Sequence, residues 1–99
     1  MSLLSISLLD AFFKKEKETS LFGRWIRFED IAPIIFKHEK NTSVKQIGYS
    51  EQKRPIYSIK LGTGKKKILI WSQMHGNEST GTKVVFDLLN TLTQSKEPC

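Results

Sequence analysis

His75 and Glu78 place an imidazole and a carboxylate three residues apart, separated by Gly76 and Asn77. A zinc ion takes neutral imidazole nitrogen and carboxylate oxygen at about 2.0–2.2 Å. A tight Gly-Asn turn can aim both groups into one cavity, because Gly76 frees the backbone and Asn77 tolerates unusual φ. A helix starting directly behind the loop would favour an ionised carboxylate. His75 and Glu78 are therefore the candidate metal ligands. As a bare pattern, His-x-x-Glu fits equally a solvated loop histidine followed by a helix-start glutamate. Its setting, after an apolar run and before an apolar-faced helix, keeps the metal reading level with that one.

A second chemistry competes for the same loop. Gly76 and Gly81 have the spacing of the two glycines of a phosphate-binding loop, which continues Gly-Lys-Ser/Thr. Here the continuation is Gly81-Thr82-Lys83. The hydroxyl and the amine are exchanged, which turns each by about 100° around a helix. Glu78 would also put a negative charge inside the cradle, so the phosphate reading is set aside. Gly62-Thr63-Gly64-Lys65 reads as a hairpin turn between strands and not as a nucleotide motif.

The elements that must carry the pair are legible from periodicity. Lys67-Ile68-Leu69-Ile70-Trp71 is apolar enough for a strand covered on both faces. Val85, Leu88, Leu89 and Leu92 recur at helical spacing after the loop. Open α/β sheets bind ligands at the carboxyl ends of their strands, where this loop lies. Upstream, Leu8, Leu9, Phe12 and Phe13 share one face of an amphipathic helix, and residues 14–18 continue it as a polar stretch. A loop over 19–23 follows. A second helix is expected over about 30–40, with Asp30 as N-cap, Pro33 in the first turn and Ile31, Ile34 and Ile35 facing the core. His38 falls on its polar side and reads as a surface residue. Trp25 and Phe28 read as core anchors. The period then changes to two. Val44, Ile47 and Tyr49 mark one strand and residues 56–61 another, joined by a turn over 50–55 into a hairpin. The expected order is helix, helix, strand, strand, strand, site loop, helix: an α/β start whose central strand has one face without visible cover.

Composition bounds the function. The 99 residues allow at most one small domain, and 38% hydrophobic with 26% charged residues does not indicate disorder. The net charge of +6 reads as lysines spread over solvated faces. Arg24-Trp25-Ile26-Arg27-Phe28 is the single stretch interleaving basic and aromatic residues, so no nucleic-acid partner is expected. The one cysteine, Cys99, supports neither a disulfide framework nor a cysteine zinc site. Residues 1–13 lack a basic n-region and a cleavage site, and they are too short to span a bilayer. No membrane association is expected, and a cytoplasmic location follows from the missing signal.

At Trp71-Ser72-Gln73-Met74-His75-Gly76-Asn77-Glu78-Ser79-Thr80 the chain resembles the zinc carboxypeptidases of the M14 peptidase family. The likeness extends to Ile47-Gly48-Tyr49-Ser50, Arg54-Pro55-Ile56-Tyr57, Lys60-Leu61-Gly62 and Asp87-Leu88-Leu89-Asn90, and covers about residues 24–93. It implies an α/β fold, the N-terminal portion of a mixed-sheet carboxypeptidase-like domain over 24–99, incomplete, preceded by a helix and loop over 1–23. It implies Zn2+ as cofactor, held by His75 and Glu78 as two of three protein ligands. The substrate would be the C-terminus of a peptide or protein, attacked by zinc-bound water. The family's third ligand, substrate arginines and general base lie downstream of the matching motif, so the catalytic residues of this chain are unknown. The chain is expected to be a truncated fragment without activity, self-associating through an exposed sheet. Two alternatives stay open: a zinc-dependent N-acyl amino acid deacylase of the aspartoacylase and succinylglutamate desuccinylase type, or a non-catalytic partner-binding fragment.

Overall fold

The computed structural model describes residues 5–94. Among these residues lie three helices, a single 3-10 turn and one hairpin: α1 (Ile6–Glu16), α2 (Phe28–Lys37), the 3-10 turn His38–Lys40, β1 (Ser43–Tyr49), β2 (Pro55–Lys60) and α3 (Thr80–Gln94).

Helix α1 starts where the Ser5 hydroxyl accepts the Leu8 N–H at 3.1 Å, satisfying one of the amides a helix start leaves free. Its expected apolar face is only partly covered: Leu8, Leu9, Phe12 and Phe13 remain exposed. The polar continuation is where burial occurs, because Glu16 and Glu18 lie against α3. Helix α2 begins two residues earlier than expected. Arg27 is its N-cap, and Asp30 sits three positions on, where its carboxylate accepts the Arg27 N–H at 2.8 Å. Pro33 therefore falls in the second turn rather than the first, inside the helix, and removes one backbone donor there. Ile34 and Ile35 are buried, as their spacing predicted.

Strands β1 and β2 pair antiparallel, with Val44 opposite Ile59 and Gln46 opposite Tyr57. Side chains alternate between faces, so Val44, Tyr57 and Ile59 share the face packed on the helices. The register slips between Gln46 and Gly48, leaving Ile47 as the bulge residue. Ile47 and Tyr49 are consequently exposed. The core consists of Leu21, Ile26, Ile34, Ile35, Phe86 and Leu89, with Ile31, Val44, Tyr57, Ile59 and Val85 packed against it. Leu21, Ile26 and Phe86 were not among the expected core positions. Leu88, which was, lies 40% exposed. Trp25 is 71% exposed and anchors nothing, whereas Phe28 is half-buried and stacks on Tyr57 at 6.3 Å between centroids.

The largest departure is at residues 67–71. No third strand forms there, and Leu69 is 83% exposed. A strand is completed by neighbours that take up its N–H and C=O groups, and apolar patterning alone does not supply them. The hairpin ends at Lys60, Gly62 turns the chain with φ 86, and the residues after it are unpaired. Gly62-Thr63-Gly64 thus closes β2 without opening another hairpin. His38 is the second departure. It is 4% exposed, not at the surface, because it follows Ile34 by four residues and Ile35 by three and so continues the buried face of α2, near Asn90 of α3 and Glu18. No helix among the described residues is long and apolar enough to cross a membrane. Cys99 and the last residues of the 93–99 tail lie outside the described residues.

Candidate metal centre

The site turn is built locally. The Glu78 N–H donates to the His75 carbonyl at 3.0 Å, closing a four-residue turn with Gly76 and Asn77 at its centre. This brings the two side chains together: His75 Nδ1 lies 2.9 Å from Glu78 Oε2. An ionised carboxylate only accepts, so in this contact Nδ1 carries the proton and donates it. Both side chains stand well out of the surface, 76% and 69% exposed.

The turn does not use the backbone freedom expected of it. Neither Gly76 nor Asn77 lies in the left-handed region. That conformation belongs to Gln73, with φ 59, two residues before the histidine. Gln73 was not singled out by spacing or residue type, and its side chain is the best-connected polar group near the turn. Its Nε2 donates to the Ile26 carbonyl at 2.8 Å and to the Gly76 carbonyl at 3.0 Å, and its Oε1 accepts from the Thr82 hydroxyl at 2.8 Å. Two carbonyl partners on one end and a hydroxyl on the other fix which end of the amide is nitrogen. Thr82 spends its one proton on Gln73, so in the 2.9 Å contact between Ser72 Oγ and Thr82 Oγ1 the serine donates.

Segment 23–27 backs the turn. The Ser79 hydroxyl is buried and donates to the Arg24 carbonyl at 2.6 Å. Arg24 Nε donates to the Asn77 carbonyl at 3.3 Å, and Lys83 Nζ to the Gly23 carbonyl. The backbone of Ser79 begins α3, accepting the Lys83 N–H at 3.2 Å. Gly81 brings α3 close to the loop: a Cβ there would lie 3.3 Å from the Ser72 Cβ.

The donor pair is compatible with one zinc ion. At tetrahedral angles and ordinary bond lengths, two ligand atoms stand about 3.4 Å apart. The observed 2.9 Å needs an opening of about half an ångström, which two exposed side chains can make by rotation. Zinc at Nδ1 would require the other neutral tautomer, with the ring proton on Nε2. Among the described residues no group of three or more His, Cys, Asp or Glu side chains is placed to hold a metal. The pair is therefore two candidate donors without a third among the described residues.

A separate polar cluster lies behind α3. The Glu18 N–H donates to Asp87 Oδ1 at 2.7 Å, and Asn90 Nδ2 donates to the Glu16 carbonyl at 3.1 Å and to Glu18 Oε1 at 3.4 Å. Burial pushes the Glu18 carboxyl up, but hydrogen bonds from Ser20 and Asn90 and the Lys37 charge outweigh it, leaving its pKa below the usual value. Burial, reinforced by the Lys37 charge, holds the His38 imidazole below its usual pKa, against the opposing pull of Glu18 and Asn90. Glu16 Oε2, His38 Nε2 and Asn90 Oδ1 are buried without a partner.

The sequence model of the zinc carboxypeptidase family, peptidase M14, matches residues 31–98, a span that includes the hairpin, the His75–Glu78 turn and α3. No curated protein and no solved structure matches the chain. Helices packed with a two-stranded antiparallel sheet are consistent with part of that family's α/β fold. A match over more than half of the sequence, bearing the His-Gly-Asn-Glu turn, establishes that the chain belongs to the zinc carboxypeptidase family.

Proposed function

We propose that this chain supplies the first two ligands, His75 and Glu78, of a zinc site of the metallocarboxypeptidase kind. The observation that carries the reading is the convergence of His75 Nδ1 and Glu78 Oε2 at 2.9 Å on an exposed turn. Bound zinc would polarise a substrate carbonyl and lower the pKa of its water. The substrate class is the C-terminal end of a peptide or protein, and the reaction is hydrolysis of its last peptide bond. The chain's own residues do the preparatory work. The turn holds the two donors on one side, and the contact between them keeps Glu78 turned toward the imidazole.

Catalytic and structural zinc sites use at least three protein ligands. Zinc binding by this pair alone is accordingly weak, and the isolated chain gives no peptidase or deacylase turnover above background. Among the described residues no general base and no cation for a substrate carboxylate occupies a recognisable position. Titration of the 99-residue chain with zinc, followed through the backbone amide resonances of residues 73–80 and by calorimetry, tests the reading. Weak saturable shifts that vanish in His75→Ala and diminish in Glu78→Ala are expected. Tight binding that survives both changes would place the metal elsewhere. Zinc-dependent release of a C-terminal residue by the chain would refute the inactivity, and hydrolysis of an N-acyl amino acid instead would favour the deacylase reading.

A further inference from the structure

We propose that Gln73 is the positioning residue of the metal-ligand turn, holding His75 and Glu78 convergent by clamping the turn to two other parts of the fold. The inference that it matters for zinc rests on the function proposed above; the inference that it sets the geometry does not.

A non-glycine residue at φ 59 sits in a sparsely populated region and persists there only when its surroundings hold it. Gln73 is so held, because all its carboxamide donors are used. One N–H reaches the Ile26 carbonyl, in the segment leading into α2. The other reaches the Gly76 carbonyl, at the centre of the site turn, and the carbonyl oxygen takes the Thr82 proton from the first turn of α3. Ile26 is a core residue, so its carbonyl is a stationary anchor. The Gly76 carbonyl is the peptide linking the histidine side of the turn to the glutamate side. Fixing it fixes the plane about which the two side chains converge. His75 and Glu78 are themselves exposed and make no other hydrogen bond through their side chains among the described residues. Their relative placement therefore depends on the backbone between them, which two side chains grip: Gln73 at the Gly76 carbonyl, 3.0 Å, and Arg24 at the Asn77 carbonyl, a longer 3.3 Å contact from an exposed side chain.

The test separates the clamp from the backbone conformation. Gln73→Glu keeps length and shape but turns two donors into acceptors facing two carbonyls. Gln73→Gly removes the clamp and relieves the left-handed strain at once. Lys53→Gly relieves the other left-handed residue, φ 64 in the hairpin turn, far along the chain from the site. The first readout needs no metal: the nuclear Overhauser contact between the His75 ring and the Glu78 γ-methylene in the full chain. It is expected to be present in the parent and in Lys53→Gly, and lost in both Gln73 variants. The second is zinc affinity by His75 resonance titration. Loss of a residue that orients metal ligands weakens binding by about 10–100-fold. Glu78→Gln should weaken zinc in the parent and add nothing once Gln73 is changed, a coupling that general destabilisation does not produce. If Gln73→Glu fails to fold, Gln73→Gly decides the matter through the same contact. Retention of the His75–Glu78 contact in a folded Gln73 variant overturns the proposal. A parent chain that shows the contact but binds no zinc sinks the zinc reading and leaves the positioning role standing.

Discussion

Replacing Leu69 by alanine separates the two descriptions of residues 67–71 by a measurable free energy. A leucine in a strand covered on both faces loses about 2–5 kcal/mol on truncation, from lost transfer energy and the cavity left behind. Leu69 is 83% exposed, so only about one-sixth of its surface is out of water. Full burial of such a side chain is worth about 1.5–3 kcal/mol. The loss expected from Leu69→Ala is then about 0.3–0.5 kcal/mol, with no cavity term. Leu89→Ala is the internal reference. It lies 9% exposed beside Phe86, Ile34 and Ile35 and should lose the full 2–5 kcal/mol. That is a large part of the roughly 5–15 kcal/mol that stabilises a domain. Urea unfolding followed by far-ultraviolet circular dichroism measures both. With a slope near 1 kcal/mol per molar urea, Leu89→Ala moves the midpoint by about 2 M or more and Leu69→Ala by less than about 0.5 M. A loss above 2 kcal/mol for Leu69→Ala, independent of protein concentration, would mean the segment is packed within the chain and would refute this account. A loss that grows with concentration would mean that it is buried between chains.

Three further outcomes follow from the same structure. Acid should destabilise the fold in two stages. His38 is held neutral and its pKa lies below the usual value, so the unfolded chain binds the extra proton first as pH falls below about 6.5. Glu18, also depressed, then loses its contribution as pH falls below the ordinary carboxylate value of 4.5. Urea midpoints at stepped pH check this, and a His38→Gln variant whose midpoint still falls between pH 7 and 5.5 would contradict the first stage. Gly76→Ala should be neutral or stabilising by up to about 1 kcal/mol, since its backbone is not left-handed and nothing lies within 4 Å of an added Cβ; a loss above 1 kcal/mol in the same assay would show that the turn needs glycine. The exposed run Ile68, Leu69, Ile70 and Trp71, with Leu8, Leu9, Phe12 and Phe13 on α1, should bind a hydrophobic dye and drive self-association; a monodisperse monomer by sedimentation, silent to the dye, would count against it.

Local chemistry determined what the sequence could show by itself. The turn at His75–Glu78 closes through a bond between residues three apart, so neighbouring residue types are enough to nominate the pair. The hairpin follows from period-two alternation and a polar turn, and α3 from helical spacing after Ser79. Where an outcome depended on a distant partner, the sequence was silent or misleading. Residues 67–71 have strand composition, but a strand exists only when other backbone completes its hydrogen bonds, and that is a property of the assembled fold. His38 reads as polar surface by residue type, yet it lies four residues after Ile34 and three after Ile35, on the face of α2 that is buried once α3 packs nearby. Gln73 carries no signal at all in its spacing. Its role arises from Ile26, 47 positions earlier, and Thr82, 9 positions later, arriving at one carboxamide. Short-range geometry is written in neighbouring residue types. Burial and long-range hydrogen bonding are decided only when segments far apart in the chain compete for the same space.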